Sequence, residues 1–296
     1  MGVLLQVMTL FLLMMAGLGA VRFRVLDSRG IAGINTFVLY FAQPCLILGR
    51  LQQDATPQLL AELAWVFVLT CAVMLVSAVI AHRLFKNQPR DRRAVLTNLS
   101  MASNCGFMGY PVITAAFGEG ALIYAVMFVT AFNLMCWTLG AYYFSGPKAI
   151  NPMRLVTNPS IIAIAAGLIL LLTGWRLPGF VNNALDLFGS TTTPMAMFVI
   201  GSRLLGLRKE HLLDRSLLVV CGLRLLVFPA MVLLLRLTPI PPMVVNAVYL
   251  CTALPCAALT GMQADLYSCD TALASRGIAV SSALSMATVP LMLLLV

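Results

Sequence analysis

Charge is scarce in this chain of 296 residues: 10% are Asp, Glu, Lys or Arg, against about 25% in a soluble domain, and two are histidine. Water cannot solvate a surface of that composition, and with 61% hydrophobic residues lipid must be the solvent for much of the molecule. Carboxylates and histidines are missing from mid-membrane positions, where proton relays are usually built. His82 and His211 fall at span ends and read as solvated loop residues, while Glu119, Asp186 and Asp265 remain within reach of a cavity. Enzyme signatures are absent too: there is no HExxH, no GxSxG and no GxxxxGK[ST], and the loops are too short for a catalytic domain. The chain is therefore read as no enzyme and no ATP-driven pump. Eight cysteines include no CxxC pair, and Cys45, Cys71, Cys105, Cys136, Cys221, Cys251 and Cys256 all lie in apolar segments, where they act as small hydrophobes. Disulfides and a zinc site are not expected.

What the sequence has in abundance is long apolar runs. A membrane barrel would show alternating segments of about 10 residues, whereas spanning helices need about 20 continuous ones. The runs fall near 2–21, 31–50, 61–82, 94–118, 121–145, 156–175, 180–202, 212–235, 243–264 and 272–296. The first lacks the basic start of a signal peptide and is too long for one, so it reads as a span. The expected fold is an all-α polytopic membrane protein of ten transmembrane helices.

Net charge is +9, but the basic residues sit in short loops, and no basic, aromatic-rich patch points to nucleic acid. They do set topology. One side receives Arg22, Arg24, Arg29, Arg83, Lys86, Arg90, Arg92, Arg93, Lys148, Arg154, Arg203, Arg208, Lys209 and Arg215; the other receives Arg50, Arg176 and Arg236. The bias places both termini on the non-cytoplasmic side of a cell (inner) membrane. Arg224 and Arg276, within or near spans, were given no topological weight.

The two halves of the chain echo each other. Gln43-Pro44 in the second run and Thr193-Pro194 in the seventh have prolines 150 residues apart; Pro111 in the fourth and Pro255 in the ninth are 144 apart. The division is a first five-helix repeat over 1–147 and a second over 148–296. Five is odd, so the second copy enters the membrane inverted, a recurrent transporter construction.

The fourth run carries the strongest chemical signal. Its middle reads Ser103-Asn104-Cys105-Gly106-Phe107-Met108-Gly109-Tyr110-Pro111. Each glycine costs a helix interior about 1 kcal/mol and proline about 3. The expectation is a helix that stops near Asn104 and restarts near Pro111. Unwound backbone at that depth must face protein or a water-filled cavity. The restarted half would present bare amides and a partial positive charge, which favours an anion, and Asn104 suits a carboxylate. The alternative is a kinked helix packed through its glycines. The ninth run, with Thr252, Pro255, Thr260, Gly261 and Gln263, reads as a second break over 255–260 or as a plain proline kink. Asn35, Thr36 and Gln43 of the second run, and Thr191, Thr192 and Thr193 of the seventh, would face both breaks if the halves cross.

The segment from Asn104 to Pro111 resembles the fourth-span motif of the auxin efflux carrier family. Asn158-Pro159, the run Thr191-Thr192-Thr193-Pro194-Met195-Ala196 and Gly201 are similar to its second-half signatures, and the short loop after the fifth run is of the bacterial type. The resemblance implies two inverted five-helix repeats with broken helices 4 and 9 crossing, scaffold and transport subdomains, and elevator-like transport of organic anions such as malate or malonate. It carries Asn104 and Pro111 to the first crossing and Pro255 to the start of the second; with the residues read around both breaks, the candidate binding set is Asn104, Cys105, Gly106, Gly109, Tyr110, Pro111, Thr252, Pro255, Thr260 and Gln263, facing Gln43, Pro44, Thr193 and Pro194. Leu259 and Thr260 stand where the family often has asparagine or proline. No cofactor is expected; proton or sodium coupling stays open, as does a homodimer. The other readings are an anion channel and a sodium-coupled symporter related to bile-acid carriers.

Overall fold

The structure is a computed structural model that describes residues 3–147, 153, 157–203 and 214–296. Lys148, Arg154, Arg208, Lys209 and His211, and the divide after residue 147, lie outside or at the edge of the described residues. Among those residues every regular element is helical: α1 (Val3–Arg22), α2 (Ser28–Arg50), α3 (Pro57–Leu84), α4 (Arg90–Met101), α5 (Cys105–Phe117), α6 (Glu119–Ser145), α7 (Pro159–Thr173), α8 (Gly179–Ser190), α9 (Thr192–Arg203), α10 (Arg215–Leu237), α11 (Pro242–Thr252), α12 (Ala258–Leu266) and α13 (Thr271–Leu293). Helices α2, α3, α6, α10 and α13 are each long and apolar enough to cross a membrane, and shorter apolar helices lie between them. Starts are set locally. Asp27, Thr56, Asn158, Asp214 and Asp270 each accept a first-turn amide, as N-caps do. Pro57 and Pro159 stand in first turns, where no amide donor is needed.

Proline shapes the interiors as well. Wide π turns at Val38–Ala42, Cys105–Gly109 and Leu223–Val227 are each followed, two residues on, by Pro44, Pro111 and Pro229. A proline cannot donate to the carbonyl four residues back, and its ring collides with that carbonyl. Widening the turn before it moves the carbonyl aside, so the helix continues. A further π turn, Cys136–Gly140, has no proline; side chains meet its carbonyls instead, Gln263 donating to Cys136 O at 2.8 Å and Asn98 to Gly140 O at 3.4 Å.

Two apolar runs contain true interruptions. The fourth splits into α4 and α5, the ninth into α11 and α12. The first gap lies at 102–104 rather than 104–111, because the π turn restarts the helix at Cys105, ahead of Pro111. The second lies at 253–257 rather than 255–260, since Ala257 is already the extended residue before α12. The seventh run is also interrupted, at Thr191. There the Ser190 hydroxyl donates to Leu187 O at 2.8 Å and the Thr191 hydroxyl to Phe188 O at 2.6 Å, competing with the helix ladder.

Packing sorts the helices into two groups. In one, α1 lies along α9, and α2 packs on α7 and α8. Glycine permits the closest approaches: a Cβ on Gly17 would collide with the Phe198 backbone, and one on Gly201 with the Met14 backbone. The other group joins α3 to α4, α6 and α11, α10 to α11 and α13, and α12 to α13. The two meet where α9 touches the π turn of α5 and where α1 touches α5 and α13.

Candidate functional site

The two interruptions lie against each other. Ser103 and Cys256 form a single antiparallel bridge: Asn104 N donates to Pro255 O at 2.8 Å and Ala257 N to Ala102 O at 2.9 Å. Cys256 N donates to Ser281 Oγ at 3.0 Å. The unwound residues thus satisfy part of their backbone by bonding to one another, as interrupted backbone within a membrane protein must. Four helix ends converge on this crossing. The last turns of α4 and α11 end at it, and α5 and α12 begin from it.

The starts of α5 and α12 face a cavity of about 990 Å³ between the two helix groups. Its floor comprises Ser103, Asn104, Gly106 and Phe107 from the first crossing segment and Ala257, Ala258 and Leu259 from the second. The opening amides of a helix have no carbonyl a turn behind them, so those of Gly106, Phe107, Ala258 and Leu259 are donors without an intrahelical partner. Asn104 is 5% exposed, and that remnant of surface belongs to the cavity. Across from the floor stand Asn35, Leu39, Tyr40 and Gln43 of α2. Gln43 Nε2 lies where a Cβ on Gly106 would meet it at 3.5 Å, so only a bare backbone separates the amide from the helix start. The oxygens of Asn35 and Gln43 are buried without a partner, and each is an acceptor for a donor group on a guest.

Apolar side chains complete the walls: Val129, Phe132, Met262 and Ile278. Arg276 is the one Lys or Arg among the described residues that line the cavity, and no carboxylate lines it. The lining ends at Val21, Asn158, Ser202 and Ser275, beside the helix ends that carry Arg22, Arg203 and Arg276; none of it comes from the opposite ends around Arg50, Arg176 or Arg236. Among the described residues the lining thus reaches toward the basic helix ends and not toward the opposite ones. On the other face an ion pair of 2.9 Å, Arg50 to Glu119, ties α2 to α6 across the two groups.

Of the residues singled out from the sequence, Gln43, Asn104 and Gly106 line the cavity, and Pro255 holds the crossing through its carbonyl. Cys105, Gly109, Tyr110, Thr252, Thr260 and Gln263 are buried in helix packing instead. Pro44 and Pro111 begin helical segments after π turns, and Thr193 and Pro194 stand in the first turn of α9; none of these four lines the cavity. Asn133 and Arg276 were missed. A lone asparagine in an apolar run gives little signal, and an arginine beside a span boundary reads as a topology marker.

The comparisons with known proteins agree with this architecture. The model of a family described as "Membrane transport protein" matches residues 3–153 and 148–293. A protein of Methanothermobacter thermautotrophicus named an uncharacterized transporter is 29% identical over 280 residues, covering 90% of this chain and 89% of its own length. An uncharacterized transporter of Methanocaldococcus jannaschii is 25% identical over 299 residues, 96% of each chain. With the family model matched over both halves, the chain belongs to the membrane transport protein family of the auxin efflux carriers.

Proposed function

We propose that this protein is a secondary transporter for small organic anions, carboxylates above all, working by elevator-type alternating access. The observation that carries the reading is the cavity floor, where two helix N-termini and Asn104 point at one place. Each N-terminus carries roughly +0.5 of an elementary charge, so the pair presents about +1 to a guest. A carboxylate matches that charge and accepts hydrogen bonds from bare amides. Arg276 supplies one further positive charge nearer the mouth, while Phe107, Phe132 and Met262 offer an apolar wall. The carboxylate of a monocarboxylate would sit at the floor with its apolar body against that wall, and the second carboxylate of malate or malonate would call on Arg276.

The family match and the two transporter relatives support the transport role. Elevator motion is favoured because both broken helices belong to one packed group and the cavity lies on its boundary with the other. A lining that reaches toward one set of helix ends and not the other favours a carrier over a channel. The basic face is assigned to the cytoplasm by the positive-inside rule, which makes the described state inward-facing and puts the termini outside.

Counterflow in proteoliposomes tests the reading. Vesicles preloaded with an unlabelled monocarboxylate should accumulate the labelled one, and Asn104→Ala should abolish accumulation while expression and melting temperature stay near those of the parent. Accumulation at the parent rate in Asn104→Ala would remove that residue from the site; an absence of counterflow with every carboxylate in a broad panel would remove the function.

A further inference from the structure

Arg224 lies in the middle of an apolar run, in the π turn of α10, and is 2% exposed. A charge at that depth persists only when it is thoroughly partnered. Its partners are all backbone carbonyls. Nη1 donates to Met101 O at 2.9 Å and Ser100 O at 3.1 Å, Nε donates to Leu254 O at 3.2 Å, and Nη2 donates to Thr252 O. Among the described residues no carboxylate forms an ion pair with it.

Those four carbonyls belong to the last turns of α4 and α11 and to the gap after α11, so they are the negative pole of the crossing. Each helix C-terminus carries roughly −0.5 of an elementary charge, and two of them sum to about −1, which one guanidinium balances. Carbonyls at the C-terminal ends of broken helices are also the ligands that hold a coupling cation in transporters of this construction. Resting on the transporter reading, we propose that Arg224 occupies the coupling-cation position permanently. The crossing is then complete without sodium, the protein transports its anion with no sodium requirement, and Arg224 is a positioning residue that holds the two half-helices at the angle from which α5 and α12 address the cavity. Because all its partners lie on the same helix group, the charge travels with the site rather than exchanging with solution.

The test needs no substrate, so its failure would leave the carboxylate reading standing. Thermal unfolding of the purified parent protein is followed in NaCl, KCl and choline chloride at equal ionic strength. A cation that bound the folded crossing would raise the melting temperature in a saturable way. The parent should melt within about 1 °C in all three salts. A saturable rise of several degrees specific to sodium would overturn the proposal. Arg224→Gln leaves the carbonyls with no cation; it should melt well below the parent and regain part of the loss in sodium or in millimolar guanidinium chloride, a rescue that a merely structural role would not produce. An Arg224→Gln protein that melts like the parent and ignores every cation would also overturn it. Should Arg224→Gln fail to fold, Arg224→Lys, which keeps the charge, must fold and remain indifferent to sodium; a sodium-stabilised Arg224→Lys contradicts the assignment.

Discussion

A single positive side chain on the cavity wall gives the clearest residue-scale prediction. Arg276 lies near the mouth and is half-buried, its Nε donating to Ala272 O at 3.2 Å. A charge-assisted hydrogen bond to a carboxylate is worth about 1.5–3 kcal/mol. Arg276→Gln should therefore raise the KM for a monocarboxylate by about tenfold or more, with little change in the maximal rate. A kinetic series in proteoliposomes checks this, and an unchanged KM would show that the bound anion makes no contact with Arg276. Asn104, flanked by Ser103, two glycines and a proline, is legible in the sequence as a residue of a break, and it lines the cavity. Gln263 looked like a ligand, yet it donates to the carbonyl of Cys136 that the π turn leaves available. Arg224 carries no weight in the topology reading, because nothing in a one-dimensional pattern tells that four carbonyls 28 to 124 residues away converge on it.

At the scale of elements, glycine and proline decide how closely helices approach and where they stop. Gly201 lies against the backbone of Met14, so a side chain there must push α1 and α9 apart. Overpacking of this kind costs about 1–3 kcal/mol. Gly201→Val should lower the melting temperature and the yield of folded protein. Gly222 is the control: a Cβ there meets nothing within 4 Å, and Gly222→Ala should stabilise by about 0.5–1 kcal/mol through the helix it joins. Equal effects of the two substitutions would contradict the packing described. Both interruptions were legible from glycine and proline in the fourth and ninth runs, but their positions were read a few residues late. The reason is physical. Local propensity puts the restart at the proline, whereas a π turn lets the helix begin ahead of it, and the residues that unwind are those that pair across the crossing, a long-range partnership that local propensity does not encode.

Across the whole molecule, the arrangement separates charge into two poles. The C-terminal pole of the crossing is neutralised from within by Arg224, and the N-terminal pole, about +1, is left to the cavity. A monoanion would neutralise the loaded site, which lowers the cost of carrying it through a hydrocarbon layer. On the face opposite the cavity mouth, the Arg50–Glu119 pair joins the two helix groups, with the Glu119 side chain 67% exposed. A pair that exposed contributes at most about 1 kcal/mol, so under the proposed alternating access it would bias the balance of states without locking it. Glu119→Gln should increase labelling, from the outer face, of a cysteine introduced at Gln43 while leaving the melting temperature nearly unchanged. Labelling identical to that of the parent background would show that the pair has no part in the conformational balance.

The central claim is that bare amides at two helix starts, with Asn104, hold a negative charge. Its most direct measurement is a thermal-shift titration of the purified protein with matched pairs of a monocarboxylate and its uncharged amide. A ligand at one hundred times its Kd stabilises the protein it binds by about 2.7 kcal/mol. The acids should raise the melting temperature of the parent saturably, their amides should not, and Asn104→Ala should respond to neither. Acid and amide that stabilise the parent equally, or an Asn104→Ala protein that still distinguishes them as the parent does, would contradict the account.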